Sequence, residues 1–185
     1  MQRELVERAR RGDHDAFAAL AAAAISRLDG AARLILHDPD QAKDAVQEAL
    51  VRAWRDLRTL RDPDRFDAWL HRLLVNSCLN EAKRLRRHRF DVELSPLDGP
   101  STRDDAAAVA DRDELERGFR RLEPEARALV VLHHYLDLSL PEVALILGVS
   151  VGTAKSRLHR ALQLMRASLE ADARPTAELA ERGLA

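Results

Sequence analysis

Two stretches of this chain hold residue types at spacings suited to gripping a polyanion. The first is Lys83, Arg84, Arg86, Arg87 and Arg89, five cations within seven residues near the end of a helical pattern. A helix C-terminus favours cations through its dipole, at about 0.3–1 kcal/mol each. Five exceed that need and suit the neutralisation of phosphates. The second is Thr153, Lys155, Ser156, Arg157, His159 and Arg160, interleaved with Ala154, Leu158, Ala161, Leu162 and Met165. The apolar set repeats at helical spacing and turns inward, which leaves the polar set on the outer surface. Short hydroxyls with long cations on one face suit a helix lying in the major groove. Its N-terminal side chains reach base edges, and Lys and Arg meet phosphate.

The elements that position the second stretch read as a helix-turn-helix. Leu138-Ser-Leu-Pro141 opens a helix carrying Val143, Ala144 and Leu147, and Gly148 follows at once. Glycine there can take the left-handed conformation that closes a helix. Val149 is placed to plug the angle, and Ser150 to cap a final helix from Val151 to about Leu169. Upstream lie a helix over Asp111–Arg121 and another that opens at Glu123-Pro124, with proline in the first turn, and runs to about Leu136.

The first stretch belongs to a second set of helices. Residues 3–28 are helical in pattern, broken at Gly12-Asp13, with Asp15 able to cap the second piece. A short helix is expected over Asp29–Leu36. From Gln41 to Leu57, Val46, Leu50, Ala53, Trp54 and Leu57 form one stripe, and Asp44, Gln47, Glu48 and Arg52 lie off it. Glu48 and Arg52 are placed to pair at i,i+4. After a loop at Arg58–Asp64, a helix to Arg87 turns Phe66, Trp69, Leu70, Leu73, Leu74, Cys78 and Leu85 inward.

Composition agrees with helices throughout. Aromatics are only 4% and hydrophobic residues 46%, with Ala, Leu and Arg abundant, so a core is feasible and helix is favoured over sheet. The expected fold is all-α. Two small helical domains, 1–90 and 111–169, are joined by a flexible acidic linker over 91–110, and 170–185 form a tail. The linker region holds Ser95-Pro96 and Asp98-Gly99-Pro100 and has little apolar content. Net charge is −1, yet charge is segregated: residues 91–116 hold nine acids against two arginines, directly after the basic run. Such asymmetry points to a polyelectrolyte partner.

Several classes are excluded. The single cysteine, Cys78, rules out an intramolecular disulfide framework. No apolar run approaches the roughly 18 residues of a membrane span, and the polar N-terminus lacks a signal-peptide core. These features predict a cytoplasmic protein with no direct membrane insertion. His133 and His134 project about 100° apart on a helix, so no metal site is expected. No carboxylate pair flanks a nucleophile and no glycine-rich phosphate loop is present, so neither catalysis nor a cofactor is expected.

The segment Val149–Ala161, VSVGTAKSRLHRA, resembles the carboxy-terminal DNA-binding segment of extracytoplasmic-function (ECF) sigma factors of the sigma-70 family, with Ala154 where the family usually has valine. The likeness extends upstream through Leu122–Leu132. The amino-terminal half is similar independently: Asp44–Glu48 (DAVQE) with Ala53-Trp54-Arg55 resembles the polymerase-docking helix, and Phe66–Leu70 (FDAWL) with the basic run resembles the promoter-melting region. The resemblance implies core RNA polymerase, promoter DNA and an anti-sigma protein as partners. It implies polymerase binding by Asp44, Gln47 and Glu48. The minus-ten element would be held by Asn76, Asn80, Lys83, Arg84, Arg86 and Arg87, with Arg58–Asp64 helping to capture a flipped base. The minus-thirty-five element would be read by Thr153, Lys155, Ser156, Arg157, His159 and Arg160. The competing reading is a helix-turn-helix regulator that binds DNA without polymerase, which leaves the amino-terminal half idle.

Overall fold

The computed structural model describes residues 1–91 and 116–182, with side chains for 1–87 and 116–169. The expected linker beyond Asp91, and the start of the helix expected from Asp111, lie outside the described residues, as does the side chain of Arg89. Among the described residues the secondary structure is helical, without strands.

The amino-terminal half contains four helices. α1 (Gln2–Arg10) ends where Gly12, at φ 95°, takes a left-handed backbone and donates to the Ala9 carbonyl at 2.9 Å. α2 (His14–Leu36) is capped by Asp13, whose carboxylate accepts from the Ala16 amide at 3.0 Å; the expected cap, Asp15, lies inside the first turn. The separate helix expected over Asp29–Leu36 is the continuation of α2. Gly30 does not break it, because this glycine serves packing: a Cβ there would collide with the Tyr135 hydroxyl of the other half. α3 (Pro39–Asp56) is capped by Asp38, which accepts from Asp40 and Gln41. Its buried face is largely alanine, with Ala42, Ala45, Ala49 and Ala53 alongside Val46. Two short 3-10 turns, Leu57–Thr59 and Pro63–Arg65, lead to α4 (Phe66–Asp91). The core of this half includes Leu28, Ile35, Leu57, Leu70, Leu74 and Cys78. Burial pushes the Cys78 thiol up to about 12, the behaviour of an unreactive core residue.

In the second half, α5 (116–120) is followed by α6 (Pro124–Val130), which widens into a π-helical turn over Val131–Tyr135 with Leu136 donating to the Val131 carbonyl at 3.0 Å. α7 (Leu140–Leu147) and α8 (Val151–Arg182) complete it. α8 runs past the expected end near Leu169.

The two halves dock. α4 packs against α6 and α7, and α2 packs against α6 and the π-helical turn. Arg86 pairs with Glu123 at 2.7 Å across the contact. The docking leaves a cleft of about 680 Å³ lined by Leu34, His37, Phe119, Tyr135, Leu162 and neighbours. Leu162, expected inward, is 39% exposed on this cleft. Ala161 beside it stays buried in the core of its own half, and Leu162 points to the cleft that the docking leaves open.

His37 is a titratable group buried at this contact. It closes α2 at φ 57°, its ring lies edge-on to Phe119 at 5.9 Å, and its Nε2 has no partner. Burial first, and then the guanidinium groups of Arg127 and Arg120, depress it to about 4. A depressed histidine stabilises the docked form above its ordinary value, near 6.5. That contribution falls as pH drops toward 4, because the undocked form takes the proton first. Acidification from pH 7.5 to 5 should therefore separate the halves, read as a rise in radius of gyration by X-ray scattering. His37→Asn tolerates the left-handed backbone and should flatten the response. An unchanged pH response in this variant would exclude His37 as its source.

Candidate nucleic-acid and protein interfaces

The helix-turn-helix is built by local polar contacts. Ser139 precedes α7, and both its amide and its hydroxyl donate to the Glu142 carboxylate, the amide at 2.8 Å. These bonds, the hydroxyl's first, hold the Glu142 carboxyl below the usual carboxylate range. Gly148 closes α7 at φ 67°, and Val149, half-buried, packs against the core at the bend. Ser150 accepts from the Thr153 amide at 3.1 Å and caps α8, and its hydroxyl bonds that of Thr153 at 2.8 Å. Beneath, Val143, Ala144, Ile146, Ala154, Leu158 and Ala161 are buried.

This architecture presents the six sequence-predicted residues together on the first turns of α8. Lys155, Ser156, Arg157, His159 and Arg160 are exposed, and Thr153 is half-buried behind its cap. The Ser156 hydroxyl donates to the Thr153 carbonyl at 3.0 Å, which leaves its oxygen free to accept. The three cations have no ion pair among the described residues, so their charge faces outward uncompensated.

On α4, Asn76, Asn80, Lys83, Arg84 and Arg87 are exposed and recur every three or four residues, one face of a helix. Arg84 pairs with Glu81 at 2.6 Å, and its pKa is raised by that hydrogen bond and charge, with a smaller effect of Asp44. Arg86 stands apart from this face and reaches Glu123 of the other half.

On α3, Asp44, Gln47 and Glu48 are exposed together, and Glu48 holds Arg52 at 2.6 Å as its spacing predicts. Beside them runs a groove between α2 and α3, of about 820 Å³, with Phe17, Ile25, Leu50, Val51 and Trp54 among its walls and Gln47 at its edge. Ile25 and Val51 are each 47% exposed. Sequence reasoning missed this apolar component. Val51 falls off the buried stripe of α3, but a single exposed valine is ordinary; only its juxtaposition with Ile25 of another helix makes a patch. His133 donates from Nδ1 to the Leu138 carbonyl, 2.8 Å away, and so ties the loop before α7.

A helix-turn-helix with an exposed cationic face, packed on a helical unit with a second basic face and a mixed polar–apolar groove, is the architecture of a DNA-binding transcription protein. Family comparison makes this specific. The family model for sigma-70 region 2 matches residues 20–88, and that for sigma-70, region 4, matches residues 112–165. The chain is 38% identical over 139 residues to an RNA polymerase sigma-E factor of Streptomyces avermitilis, covering 75% of this chain and 76% of that protein. It is 35% identical over 151 residues to the ECF RNA polymerase sigma factor SigM of Mycobacterium tuberculosis, covering 81% and 75%. The solved structure of CnrH, in complex with the cytosolic domain of CnrY, superposes with TM-score 0.69 at 30% identity over 92% of this chain and 98% of that one. The sigma factor RpoE of Bartonella quintana, in complex with the anti-sigma factor NepR, shares the fold with TM-score 0.71 at 22% identity, covering 84% and 98%. The chain belongs to the extracytoplasmic-function branch of the sigma-70 family. Among the described residues, no helix is long and apolar enough to cross a membrane.

The caps around the turn carry measurable stability. Ser150→Ala should cost about 1 kcal/mol, as loss of a serine N-cap does, with faster amide hydrogen exchange at the start of α8. Glu142 contributes above the ordinary carboxylate range near pH 4.3 and loses that contribution as pH falls through its lowered folded value. Denaturant melts of Glu142→Gln should thus approach those of the unmutated protein at pH 3 and fall below them at pH 7.

Proposed function

We propose that this protein is a sigma factor that binds core RNA polymerase and directs initiation at promoters through minus-ten and minus-thirty-five elements. The observation that carries this reading is the presence, in one chain, of an uncompensated recognition face on α8 and a separate docking groove beside Asp44, Gln47 and Glu48. The first suits duplex DNA. The second suits a protein partner, with apolar walls that supply affinity and a polar rim that supplies register. The basic face of α4 holds the opened minus-ten region, Asn76 and Asn80 contacting nucleotides and Lys83, Arg84 and Arg87 neutralising backbone. Arg86 joins them once its bond to Glu123 is released. Residues 91–110 connect the two DNA-reading units. The protein works by binding, without catalysing a reaction, in the cytoplasm where polymerase and DNA are. An anti-sigma protein is the third partner in this reading; CnrH was solved with the cytosolic domain of a second protein.

Reconstitution with core polymerase tests the whole reading. The holoenzyme should start discrete transcripts on genomic fragments of the source organism, and core alone should not. A chain that binds DNA fragments but never comigrates with core would establish the free helix-turn-helix regulator instead.

The docking surface has its own test. Gln47→Ala with Glu48→Lys should weaken core binding at least tenfold in fluorescence anisotropy while helix content stays constant, since neither side chain is buried. Equal affinity would remove this face from polymerase binding.

Reading and phosphate contacts on α8 fail differently. Lys155→Ala, Ser156→Ala or Arg160→Ala should each cost about 1–3 kcal/mol at the preferred upstream element and relax preference at one position. Arg157→Ala should weaken all sequences alike and lower the salt slope by about one. Promoter-variant transcription and binding at two salt concentrations separate the two patterns. Core binding should survive in all four variants. Unchanged preference and affinity throughout would show that α8 is not the reader.

A further inference from the structure

The cleft between the halves, about 680 Å³, has the size and make-up of a small-molecule site at the contact of two helical units. Its apolar walls come from both halves. Leu34 belongs to α2, and Phe119, Tyr135 and Leu162 belong to α5, the π-helical turn and α8. Leu34, Tyr135 and Leu162 remain partly exposed there. Docking thus gathers apolar surface from three elements without covering it.

The polar groups around the cleft indicate the chemistry of its ligand. Most are already engaged. Asp38 accepts from two amides of α3 and from Gln41 Nε2. Glu116 pairs with Arg120, and Arg33 with Asp29, both at 2.6 Å. Two nitrogens are not engaged: His37 Nε2, in the lining, and Arg127 Nε, on half-buried Arg127 of α6, are shielded from water without a partner among the described residues. After burial itself, the charges of Arg127 and Arg120 act most strongly on the His37 ring, against a weaker effect of Glu116. His134 is the remaining titratable group of the lining. The field at His37 is therefore positive. Arg127 Nε is a donor only, and His37 Nε2 donates in one tautomer of the neutral ring. Both call for an acceptor that carries negative charge.

We propose that this cleft binds a small, free amphiphilic carboxylic acid, with its carboxylate at His37 on the Arg127 side and its alkyl chain between Leu34, Phe119, Tyr135 and Leu162. A carboxylate offers two acceptor oxygens in one plane, one for each of the two nitrogens. A purely apolar ligand would leave those nitrogens unmatched, and a bare anion would leave the walls uncovered. Because the acid touches both halves, it binds the docked form better than the separated one and stabilises it. The site stands on the contact between the halves; only its effect on transcription rests on the sigma-factor reading. In that reading the acid is an effector that keeps the halves together and Arg86 on Glu123.

Decanoate is the probe, titrated into the full-length chain at pH 7.5 by isothermal titration calorimetry. It should saturate at a single site. Acetate, a head group without a chain, and decan-1-ol, a chain without the charge, should each bind about tenfold more weakly or worse, since each lacks half of the interaction. Arg127→Met should weaken decanoate about tenfold and leave decan-1-ol unaffected. Leu34→Glu and Leu162→Glu, one on each half and both at partly exposed positions, should each abolish binding with helix content unchanged. Val51→Glu, on the groove between α2 and α3, should leave it intact. Arg127→Met keeps the test decisive should a glutamate variant fold poorly. Equal affinity for decan-1-ol, binding at many sites, or loss in Val51→Glu overturns the proposal. Loss in only one of Leu34→Glu and Leu162→Glu would place the acid on one half and overturns the bridging site. In reconstituted holoenzyme, chain incubated beforehand with saturating decanoate should give several-fold fewer promoter-specific transcripts, and the Leu162→Glu chain should be insensitive. Decanoate binding without that drop overturns the effector role. Absence of any promoter-specific transcript without decanoate would instead refute the sigma reading and leave the calorimetric result standing.

Discussion

The amino-terminal half depends on how closely α3 can lie against α2 and α4. Ala42, Ala49 and Ala53 are fully buried and Ala45 nearly so, and each contributes only a methyl group to the contact. Interhelical distance follows the size of the side chains at the crossing, so this seam draws all three helices together. The larger residues of α3 are displaced to its margins. Val46 and Leu50 meet Phe17 and Ile25 at the α2 margin, which creates the apolar groove. Asp44, Gln47 and Glu48 are left on the remaining arc and project beside it. The same closeness holds α4 with Leu70, Leu74 and Cys78 inside, which turns Asn76, Asn80, Lys83 and Arg87 outward. A larger side chain in the seam would cost about 1–3 kcal/mol in overpacking, and it would also misalign the groove and the basic face together.

How much of this was legible in the sequence depended on how local the cause was. The helix-turn-helix was readable because its determinants lie within a dozen residues. Gly148 and Ser150 each act on backbone groups three or four positions away, and the structure places each where the spacing predicts. The Glu48–Arg52 pair is local for the same reason. The failures were tertiary. The separate helix expected over Asp29–Leu36 is the end of one long α2, and Gly30 within it admits Tyr135 from more than a hundred residues away. Leu162 read as core because it shares a stripe with Leu158 and Met165, but the surface above it belongs to the other half. Asp13 displaced Asp15 as the α2 cap by a local margin of two residues, within the usual uncertainty of helix boundaries.

The contact between the halves bears on the proposed function, because it engages Arg86, which that reading places among the minus-ten contacts. Arg86 bonds Glu123 across the contact, yet both side chains are more than half exposed. Such pairs contribute about 0–1 kcal/mol. Between the halves lie an open cleft and two buried nitrogens without partners, His37 Nε2 and Arg127 Nε. Each unsatisfied group costs about 1–3 kcal/mol. Burial lowers the Arg127 pKa, a direct sign that its charge is poorly solvated there. Against these costs stand the apolar contacts of Phe119, Tyr135 and Leu34, of which Tyr135 remains 41% exposed.

Docking is therefore marginal by construction, unlike the tightly packed interiors of the two halves. A DNA phosphate can replace the exposed glutamate at Arg86 with an equally charge-assisted, bidentate bond, and DNA binding also releases counterions. A ligand shifts a two-state equilibrium only by its differential affinity for the two states. The docked state sequesters Arg86 and sets α7 against α4, whereas the separated state frees both. On the reading proposed above, promoter DNA that engages α4 and α8 at sites separated along the duplex favours separation on energetic as well as geometric grounds. On that reading, the imperfect packing at this one contact would let the halves part without melting either one.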